Sequence, residues 1–241
     1  MILAGAGTGK TRVITSRIAH MIMEGVPAKS VVAVTFTNKA ALEMKERLKQ
    51  TLATQKRRSL PFLGTFHRFC ISILRRWPEL LGFQGHFTIA SPKDQLELVR
   101  KTLEETGNSK HFQAEEVLNS ISACKNELLT PMDLKSGKNL SSGKLEDLET
   151  LATFYELYER RLQLSLAIDL DDCILKTVVG LRNNKEIKEL IQQRYQYYLV
   201  DEYQDTNASQ FALIKELTDK SQNVCVVGDD DQSIYSWRGA V

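Results

Sequence analysis

The start of the chain alternates between short continuous apolar runs and stretches in which apolar residues recur at helical spacing. Residues Ile2 to Ala4 are apolar, a glycine-rich turn follows, and from Lys10 to about Glu24 apolar side chains recur at helical spacing. Val31 to Val34 is a continuous apolar run of mostly β-branched residues, which is typical of a buried parallel strand. The stretch from Asn38 to Gln50 again has one apolar helical face. This order of strand, helix, strand and helix predicts a parallel sheet covered by helices.

The middle of the chain, from about residue 69 to residue 183, has frequent helical periods and few strand signals. Ser91–Pro92 and Thr130–Pro131 each place a capping side chain before a proline at the first helical position. The glycine- and serine-containing stretch Ser136–Lys144 predicts a loop or linker. We therefore expect residues 69–183 to form a mostly helical inserted subdomain.

Strand signals return towards the carboxyl end of the chain. Tyr197 to Val200 and Val224 to Val227 are apolar runs, and helices are predicted at about Glu186 to Gln193 and Ala208 to Leu217. The predicted fold is α/β, with a central parallel sheet built from residues 1–68 and 184–241 and interrupted by the helical subdomain.

The composition favours a folded domain, and the small net charge is the sum of two parts of the chain with opposite charge. Hydrophobic residues make up 42% of the 241 residues and charged residues 26%, and no apolar run reaches the roughly 18 residues of a membrane span. The formal net charge is +2, but residues 1–76 carry 14 Lys and Arg against 3 Asp and Glu, and residues 77–241 carry 18 against 27. The net charge is therefore +11 for residues 1–76 and −9 for residues 77–241. The first part of the chain offers either a basic face in contact with solvent or a surface that binds along a phosphate backbone. The four cysteines are far apart in sequence, so we expect buried thiols without a disulfide or metal role.

The glycine-rich turn fits a phosphate-binding loop that has alanine in place of the first glycine. Its residues are Ala4, Gly5, Ala6, Gly7, Thr8, Gly9, Lys10 and Thr11. Glycines allow successive backbone N–H groups to converge on phosphate, the Lys10 ammonium suits the β- and γ-phosphate oxygens, and the Thr11 hydroxyl is a ligand for Mg²⁺. The predicted strand before the loop and the predicted helix after it are the context that such a loop requires.

Carboxylates follow two of the later predicted strands. Asp201 and Glu202 come directly after Tyr197 to Val200, which suits Asp201 to hold Mg²⁺ and Glu202 to act as a base on an attacking water. Gln232 follows Val224 to Val227 and is a candidate sensor of the γ-phosphate. Two adjacent acids after a strand also cap helices, but the phosphate-binding loop favours the catalytic interpretation.

Five segments, in this order, resemble the N-terminal motifs of the superfamily 1A DNA helicases of the UvrD, Rep and PcrA type, and the Rep-like members most. They are LAGAGTGKTRVI, AVTFTNKAALEMKERL, GTFHRFC, YLVDEYQDTNASQ and VVGDDDQSIYSWRGA. The resemblance covers essentially the whole chain. It implies a RecA-like P-loop motor domain that uses ATP and Mg²⁺, moves 3′ to 5′ on single-stranded DNA and opens duplex at single-strand/duplex junctions.

The resemblance also assigns roles to individual positions. It implies that Lys10 and Thr11 bind phosphate and Mg²⁺, that Arg12 stacks on the adenine, and that Asp201, Glu202 and Gln232 take the three roles above. The implied DNA contacts are Thr35, Phe36, Thr37, Asn38, Thr65, Phe66, His67, Tyr235, Trp237 and Arg238. Aromatic faces bind bases without regard to sequence, which a translocating motor requires. Placement within the motifs favours this role for Phe36 and Trp237, and leaves Phe66 open between base stacking and the core.

His67 stays open between a DNA contact and a hydrogen-bonded structural histidine. The family also has features that this sequence does not show: a segment before the loop with an adenine-reading glutamine, a second motor domain after the WRGA motif, and phenylalanine at the position of Leu170. We therefore expect a first motor domain that needs a second one as its partner and has little or no helicase activity alone.

Two alternatives stay open: the motor part of a helicase–nuclease, and a non-catalytic module that binds single-stranded DNA. The resemblance implies a location at DNA in a bacterial-type cytoplasm, or in the nucleus or an organelle of a eukaryote, with no membrane partner.

Overall fold

The computed structural model describes residues 2–3, 5, 9–53, 59–82, 85–141 and 147–229. These residues contain a five-stranded parallel sheet and a two-stranded parallel sheet. The strands are β1 (Ile2–Leu3), β2 (Val31–Thr35), β3 (Phe62–Thr65), β4 (Thr88–Ile89), β5 (Ala167–Ile168), β6 (Tyr197–Val200) and β7 (Val224–Gly228). The order in the larger sheet is β1-β7-β6-β2-β3, and β4 pairs with β5 in the smaller one.

Helices connect these strands and make up most of the middle of the chain. They are α1 (Lys10–Met23), α2 (Asn38–Thr51), α3 (Phe66–Arg76), α4 (Pro92–Glu105), α5 (Ala114–Asn126), α6 (Pro131–Lys135), α7 (Leu148–Leu164), α8 (Leu170–Asn183), α9 (Lys185–Arg194) and α10 (Ala208–Thr218). Short 3₁₀ turns cover Ala28–Ser30, Pro78–Leu81 and Tyr203–Asp205.

The predicted α/β fold is confirmed, and most predicted elements lie within one residue of the observed ones. Both predicted proline-led helix starts are present. Ser91 accepts a hydrogen bond from the Asp94 amide, and Thr130 accepts one from the Asp133 amide. Strands β3, β4 and β5 were not predicted.

The parallel register brings the carboxyl ends of the strands to one edge of the larger sheet. Val34 pairs with Val200, Thr35 with Thr65, and Val200 with Val226. The residues that follow these strands therefore meet at this edge, which is where ligands bind in open parallel sheets.

Each face of the sheet has its own hydrophobic core. Val31 and Ala33 of β2 point towards α1 and α2, where they pack with Ile14 and Met44. The alternate residues of β2 point to the opposite face, as expected for a strand. There they join a core contributed by α3, α8, α9 and α10.

A separate core lies within the helical subdomain. It is built from α4, α5, α6 and α7 together with Ala90 and Ala167. The cores therefore divide the chain differently from the predicted boundaries at 68/69 and 183/184, because α3 and α8 pack with the sheet. The described residues of the separate helical core lie between Ala90 and Ala167, since buried contacts and not helical content define a packing unit. The division into 1–68 with 184–241 and 69–183 stays a prediction.

All four cysteines are buried free thiols, as expected. Within the part of the chain that the structure describes, no helix is both long and apolar enough to cross a bilayer.

Candidate nucleotide and nucleic-acid site

The amino end of α1 presents Lys10 at the carboxyl edge of the sheet. Gly9 caps the helix with φ of +92°, a left-handed conformation that glycine adopts without strain, and its carbonyl accepts hydrogen bonds from the Arg12 and Val13 amides. Lys10 is only 8% exposed, and its Nζ lies 3.4 Å from a carboxylate oxygen of both Glu202 and Asp229. A buried ammonium thus stands where the strand ends converge.

Thr11 and Asp201 are 190 positions apart in sequence and meet at this edge. The Thr11 hydroxyl donates a hydrogen bond of 3.2 Å to Asp201 Oδ2. Asp201 is 1% exposed, and its amide donates to the Val34 carbonyl, which fixes its backbone beside β2. Burial and the neighbouring Glu202 carboxylate raise the pKa of Asp201, while the Thr11 hydrogen bond opposes this rise. A hydroxyl and a carboxylate side by side are oxygen ligands of the kind that Mg²⁺ prefers, so the predicted metal pair fits that ion.

Glu202 has an unusual backbone conformation. Its φ of +54° and ψ of +46° lie in the left-handed region, which costs a residue with a β-carbon about 1–2 kcal/mol. Such a conformation persists where the surroundings hold it, and it occurs often at functional sites. The Glu202 amide donates to Asp201 Oδ1 at 3.2 Å, and the Glu202 carboxylate accepts from Gln204 Nε2 at 2.7 Å.

Among the residues that the structure describes, negative charge exceeds positive charge around Lys10. The carboxylates of Glu202 and Asp229 contact its ammonium, and the carboxylates of Asp201 and Asp205 lie near enough to interact with it electrostatically. Burial and Glu202 raise the pKa of Asp205, which is 8% exposed. An excess of buried carboxylates around one ammonium favours a cation at the site.

The structure describes part of the predicted nucleotide site. Gly5 and Arg12 are exposed, and Arg12 lies on α1 one residue beyond Thr11. Eight predicted site residues lie outside the described residues: Ala4, Ala6, Gly7, Thr8, Gln232, Tyr235, Trp237 and Arg238.

Several predicted DNA contacts lie at the starts of two neighbouring helices. Thr37 caps α2 by accepting from the Ala40 amide, and Asn38 is the first residue of that helix. Thr65 caps α3 by accepting from the Arg68 amide. Helix amino ends attract phosphate because their N–H groups and dipoles point towards it.

The structure buries two of the predicted DNA contacts. Phe66 is 2% exposed and packs in the core with Phe69 and Cys70, so its ring is a core side chain here and has no face open to a base. Thr35 is 1% exposed, and its hydroxyl makes no hydrogen bond among the described residues. Phe36 is half-buried, whereas Thr37 and Asn38 are exposed.

His67 is half-buried on the first turn of α3. Burial lowers the pKa of His67, and the Asp171 carboxylate at the start of α8 partly opposes this effect. Asp171 accepts hydrogen bonds from Ser122 and Asn126 of α5, and Asn126 accepts one from Asn207 at 2.7 Å. A polar network therefore runs from the segment after Glu202 through the helical subdomain to the neighbourhood of His67.

The basic charge predicted for the first part of the chain corresponds to an exposed surface on α2 and α3. Every described Lys and Arg between residues 39 and 76 is exposed. They are Lys39, Lys45, Arg47, Lys49, Arg68, Arg75 and Arg76. Since these helices also begin with the capping threonines, positive charge and helix amino ends occur on the same two elements.

Sequence reasoning missed two side chains of this site, Gln204 and Asp229. Gln204 lies in the motif YLVDEYQDTNASQ, two residues after Glu202, and Asp229 lies in the motif VVGDDDQSIYSWRGA, one residue after β7. Asp229 follows β7 directly, and its polar character there was the signal, because such residues are brought to the carboxyl edge of a parallel sheet. Gln204 lies in the 3₁₀ turn Tyr203–Asp205 and carried no such signal.

Comparisons with known proteins agree with the motifs. The family model described as UvrD/REP helicase N-terminal domain matches residues 1–241. The ATP-dependent DNA helicase PcrA of Staphylococcus aureus is 44% identical over 243 residues, which cover 100% of this chain and 32% of that protein. The protein of the same name from Staphylococcus epidermidis is 43% identical over 242 residues, with the same two shares. The chain therefore spans about a third of the length of these relatives.

Proposed function

The chain belongs to the UvrD/REP helicase N-terminal domain family, and from this premise we propose that it is the ATP-binding motor part of a DNA helicase. In this proposal the chain binds ATP with Mg²⁺ at the carboxyl edge of the sheet. The full-length protein couples ATP hydrolysis to 3′-to-5′ movement on single-stranded DNA and opens duplex at junctions. The similarity to proteins named ATP-dependent DNA helicase supports this activity.

The observation that carries the nucleotide part is the convergence of Lys10, Thr11 and Asp201. Their functional groups come from α1 and from the end of β6, and the Thr11 and Asp201 oxygens are 3.2 Å apart. In the proposed complex Lys10 neutralises the β- and γ-phosphates, while Thr11 and Asp201 hold Mg²⁺. The ion would stabilise the negative charge that develops on the phosphate oxygens as ADP leaves.

Glu202 is the proposed base. Its carboxylate lies 3.4 Å from the Lys10 ammonium and is about one third exposed, so water reaches it. A carboxylate in this place is suited to orient a water molecule and to accept its proton as the water attacks the γ-phosphate. Gln232 is proposed to report the γ-phosphate to the DNA-binding residues.

DNA is proposed to cross the amino ends of α2 and α3. Phosphate binding at Thr37, Asn38 and Thr65 is supported by the two helix amino ends and by the exposed basic residues of these helices. The burial of Phe66 removes its ring from the proposed stacking faces, which leaves Phe36, Tyr235 and Trp237. His67 is proposed to act beside them.

Nucleotide binding by the chain is tested with a fluorescent ATP analogue and Mg²⁺. We expect Lys10→Ala to weaken binding by at least about tenfold, because each charge-assisted contact to phosphate contributes about 1.5–3 kcal/mol. The matched control is Lys29→Ala, an exposed lysine just before β2, at the opposite edge of the sheet, which should bind like the unmodified chain. Equal binding by Lys10→Ala and the unmodified chain would refute the proposed site.

Hydrolysis separates the motor proposal from a non-catalytic module. The chain alone is proposed to hydrolyse ATP slowly, because the family's γ-phosphate arginines lie in the second motor domain, and loss of such an arginine costs about 10³- to 10⁵-fold in rate. DNA-stimulated hydrolysis by the chain alone, abolished in Lys10→Ala, would contradict this. The full-length protein should hydrolyse ATP on single-stranded DNA. If it binds DNA in a salt-sensitive way but never hydrolyses ATP, the module is favoured.

Direction is tested with the full-length protein on single strands that carry streptavidin at one end. Movement from 3′ to 5′ predicts ATP-dependent displacement from the 5′ end and little from the 3′ end. Equal displacement from both ends, or displacement from the 3′ end alone, would overturn the direction.

A further inference from the structure

Gln204 closes a ring of polar contacts around the proposed phosphate-binding lysine. Lys10 Nζ lies 3.4 Å from Glu202 Oε2 and 3.4 Å from Asp229 Oδ2. The Gln204 side chain links the same two residues, through the Glu202 carboxylate and the Asp229 backbone amide. Its Nε2 donates to Glu202 Oε2 at 2.7 Å, and its Oε1 accepts from the Asp229 amide at 3.0 Å. The ring therefore connects α1, the turn after β6 and the end of β7.

The two kinds of contact in the ring respond differently to a nucleotide. The Lys10 contacts are long, and a triphosphate would compete for the same ammonium because its charge is larger. Lys10 would then release both carboxylates. The Gln204 contacts involve no group that phosphate needs, so they are retained when Lys10 turns away.

We propose that Gln204 is a positioning residue, which holds the Glu202 carboxylate in place for hydrolysis and ties it to the end of β7. This inference rests on the proposed function, because it assumes that Glu202 is the base. Without Gln204, the Glu202 carboxylate would lose this hydrogen bond, and with it the link to the Asp229 amide, at the moment when Lys10 binds phosphate. Glu202 would then sample orientations that do not reach the attacking water, and effective positioning is a large part of a catalyst's contribution.

The chemistry of glutamine matches both contacts. The ring requires one donor, towards a carboxylate, and one acceptor, towards a backbone amide, and a primary amide supplies both from one planar group. The position of the Gln204 side chain between Glu202 and Asp229 also depends on the neighbouring Gly228. A β-carbon on Gly228 would lie 3.0 Å from Gln204 Oε1 and 3.4 Å from the Gln204 amide nitrogen, which is tighter than ordinary contact, so Gln204 would have to shift by a few tenths of an ångström. Gly228 therefore gives a second way to disturb Gln204 without changing its chemistry.

The test measures steady-state ATP hydrolysis by the full-length protein on saturating single-stranded DNA. The variants are Gln204→Leu, which removes both contacts, and Gly228→Ala, whose added β-carbon presses on the Gln204 side chain. We expect each to lower kcat by about 10- to 100-fold, the effect of losing a hydrogen bond to a charged group. The dissociation constant of a fluorescent ATP analogue should change by less than about threefold. The matched control is Gln193→Leu, an exposed glutamine near the end of α9, which should keep the unmodified kcat.

Combining substitutions shows whether Gln204 acts through Glu202. In a Glu202→Gln background, adding Gln204→Leu should leave the residual rate unchanged, since the group that it positions is gone. If Gln204→Leu lowers that residual rate by the same factor as before, or if kcat is normal in the single variant, the inference is overturned. Should Gln204→Leu fail to fold, Gly228→Ala in both backgrounds gives the same comparison.

Failure of the proposed function would look different. It would show as an unmodified full-length protein that binds no nucleotide or hydrolyses none, whereas failure of this inference leaves the unmodified protein active and Gln204→Leu equally active.

Discussion

Replacing the buried Lys125 with methionine should strongly destabilise the helical subdomain. Lys125 is 1% exposed, and its ammonium contacts Glu159 at 2.6 Å, Asp169 at 2.6 Å and Asp172 at 2.9 Å. The rings of Tyr155 and Tyr158 lie over the same ammonium, at 5.6 Å and 5.1 Å from their centroids. Burial opposes the charge of Lys125, but the carboxylates outweigh it and hold the pKa of Lys125 well above its ordinary value.

The expected loss follows from what remains after the substitution. Methionine fills a similar volume, so the effect is mainly electrostatic. Asp169 and Asp172 are 2% and 0% exposed, and with Glu159 they would keep Lys176 as the nearby cation within the described part of the chain. Removing one partner of a buried ion network typically costs about 3–5 kcal/mol, because a buried charge is left uncompensated. A domain of this size is stabilised by about 5–15 kcal/mol in total, so the loss is a large fraction of it.

The loss of stability in Lys125→Met should depend on pH in a definite direction. Burial raises the pKa of Asp172 to about 7, with Lys125 acting against the rise. The pKa of Asp172 is higher in the folded chain than in the unfolded chain, so protonation of Asp172 stabilises the fold. This stabilisation is complete at pH values below the unfolded pKa, and it is lost as the pH rises towards about 7 and above. Without Lys125 the carboxyl groups bind protons at still higher pH. The folded variant therefore binds more protons than the folded unmodified chain. For each extra proton, lowering the pH by one unit reduces the difference in unfolding free energy between the two proteins by about 1.4 kcal/mol.

Urea unfolding of the chain, followed by circular dichroism near pH 8 and near pH 5.5, measures both effects. We expect Lys125→Met to unfold about 3–5 kcal/mol more easily near pH 8, with a smaller difference at the lower pH. The matched control is Lys135→Met, which breaks an exposed pair with Glu156 in the same subdomain and should cost about 0–1 kcal/mol. A loss at Lys125 no larger than the control's, or one that grows on acidification, would refute the reasoning.

Three further predictions concern stability and are checked by the same unfolding measurement. Phe66→Ala should cost about 3–5 kcal/mol, because the ring lies in the core; a variant of normal stability that bound single-stranded DNA weakly in fluorescence anisotropy would show instead that the ring serves DNA binding. Thr130→Ala should cost about 1 kcal/mol by removing the cap of α6, and a loss near zero would show that Asp133 alone suffices. Asn126→Leu should cost about 1–3 kcal/mol because Asn207 and Asp171 each lose a partner, and an unchanged unfolding free energy would contradict the network.

The secondary structure could be predicted where the signal is local. The helix predicted from Lys10 to about Glu24 ends at Met23, and the strand predicted at Tyr197 to Val200 has those bounds. Each has its own apolar pattern and a clear boundary. Strand β3 contains a glycine and few β-branched residues, so its strand conformation depends on pairing with β2. Strands β4 and β5 have two residues each, too short for any periodicity.

The site could be predicted where chemistry lies within one motif. Lys10 and Thr11 follow a glycine-rich turn, and Asp201 follows a buried strand, so each carries its own context. The ring through Gln204 and Asp229 depends on side-chain contacts between separate strands, which no single motif encodes. The burial of Phe66, in contrast, was available in the sequence. Phe66, Phe69, Cys70, Ile73 and Leu74 recur at helical spacing, and all five are buried on α3.

The net charge has a different meaning once burial is known. Among the described residues, the buried charged side chains are two lysines and five aspartates, a formal sum of −3. They are Lys10, Lys125, Asp169, Asp172, Asp201, Asp205 and Asp229. Because the whole chain sums to +2, all other residues together carry +5. Part of the acidic excess after residue 76 therefore belongs to the carboxyl edge of the larger sheet and to the Lys125 network. The basic residues of α2 and α3 remain at the surface, so a polyanion would meet a more positive protein than the sequence total suggests.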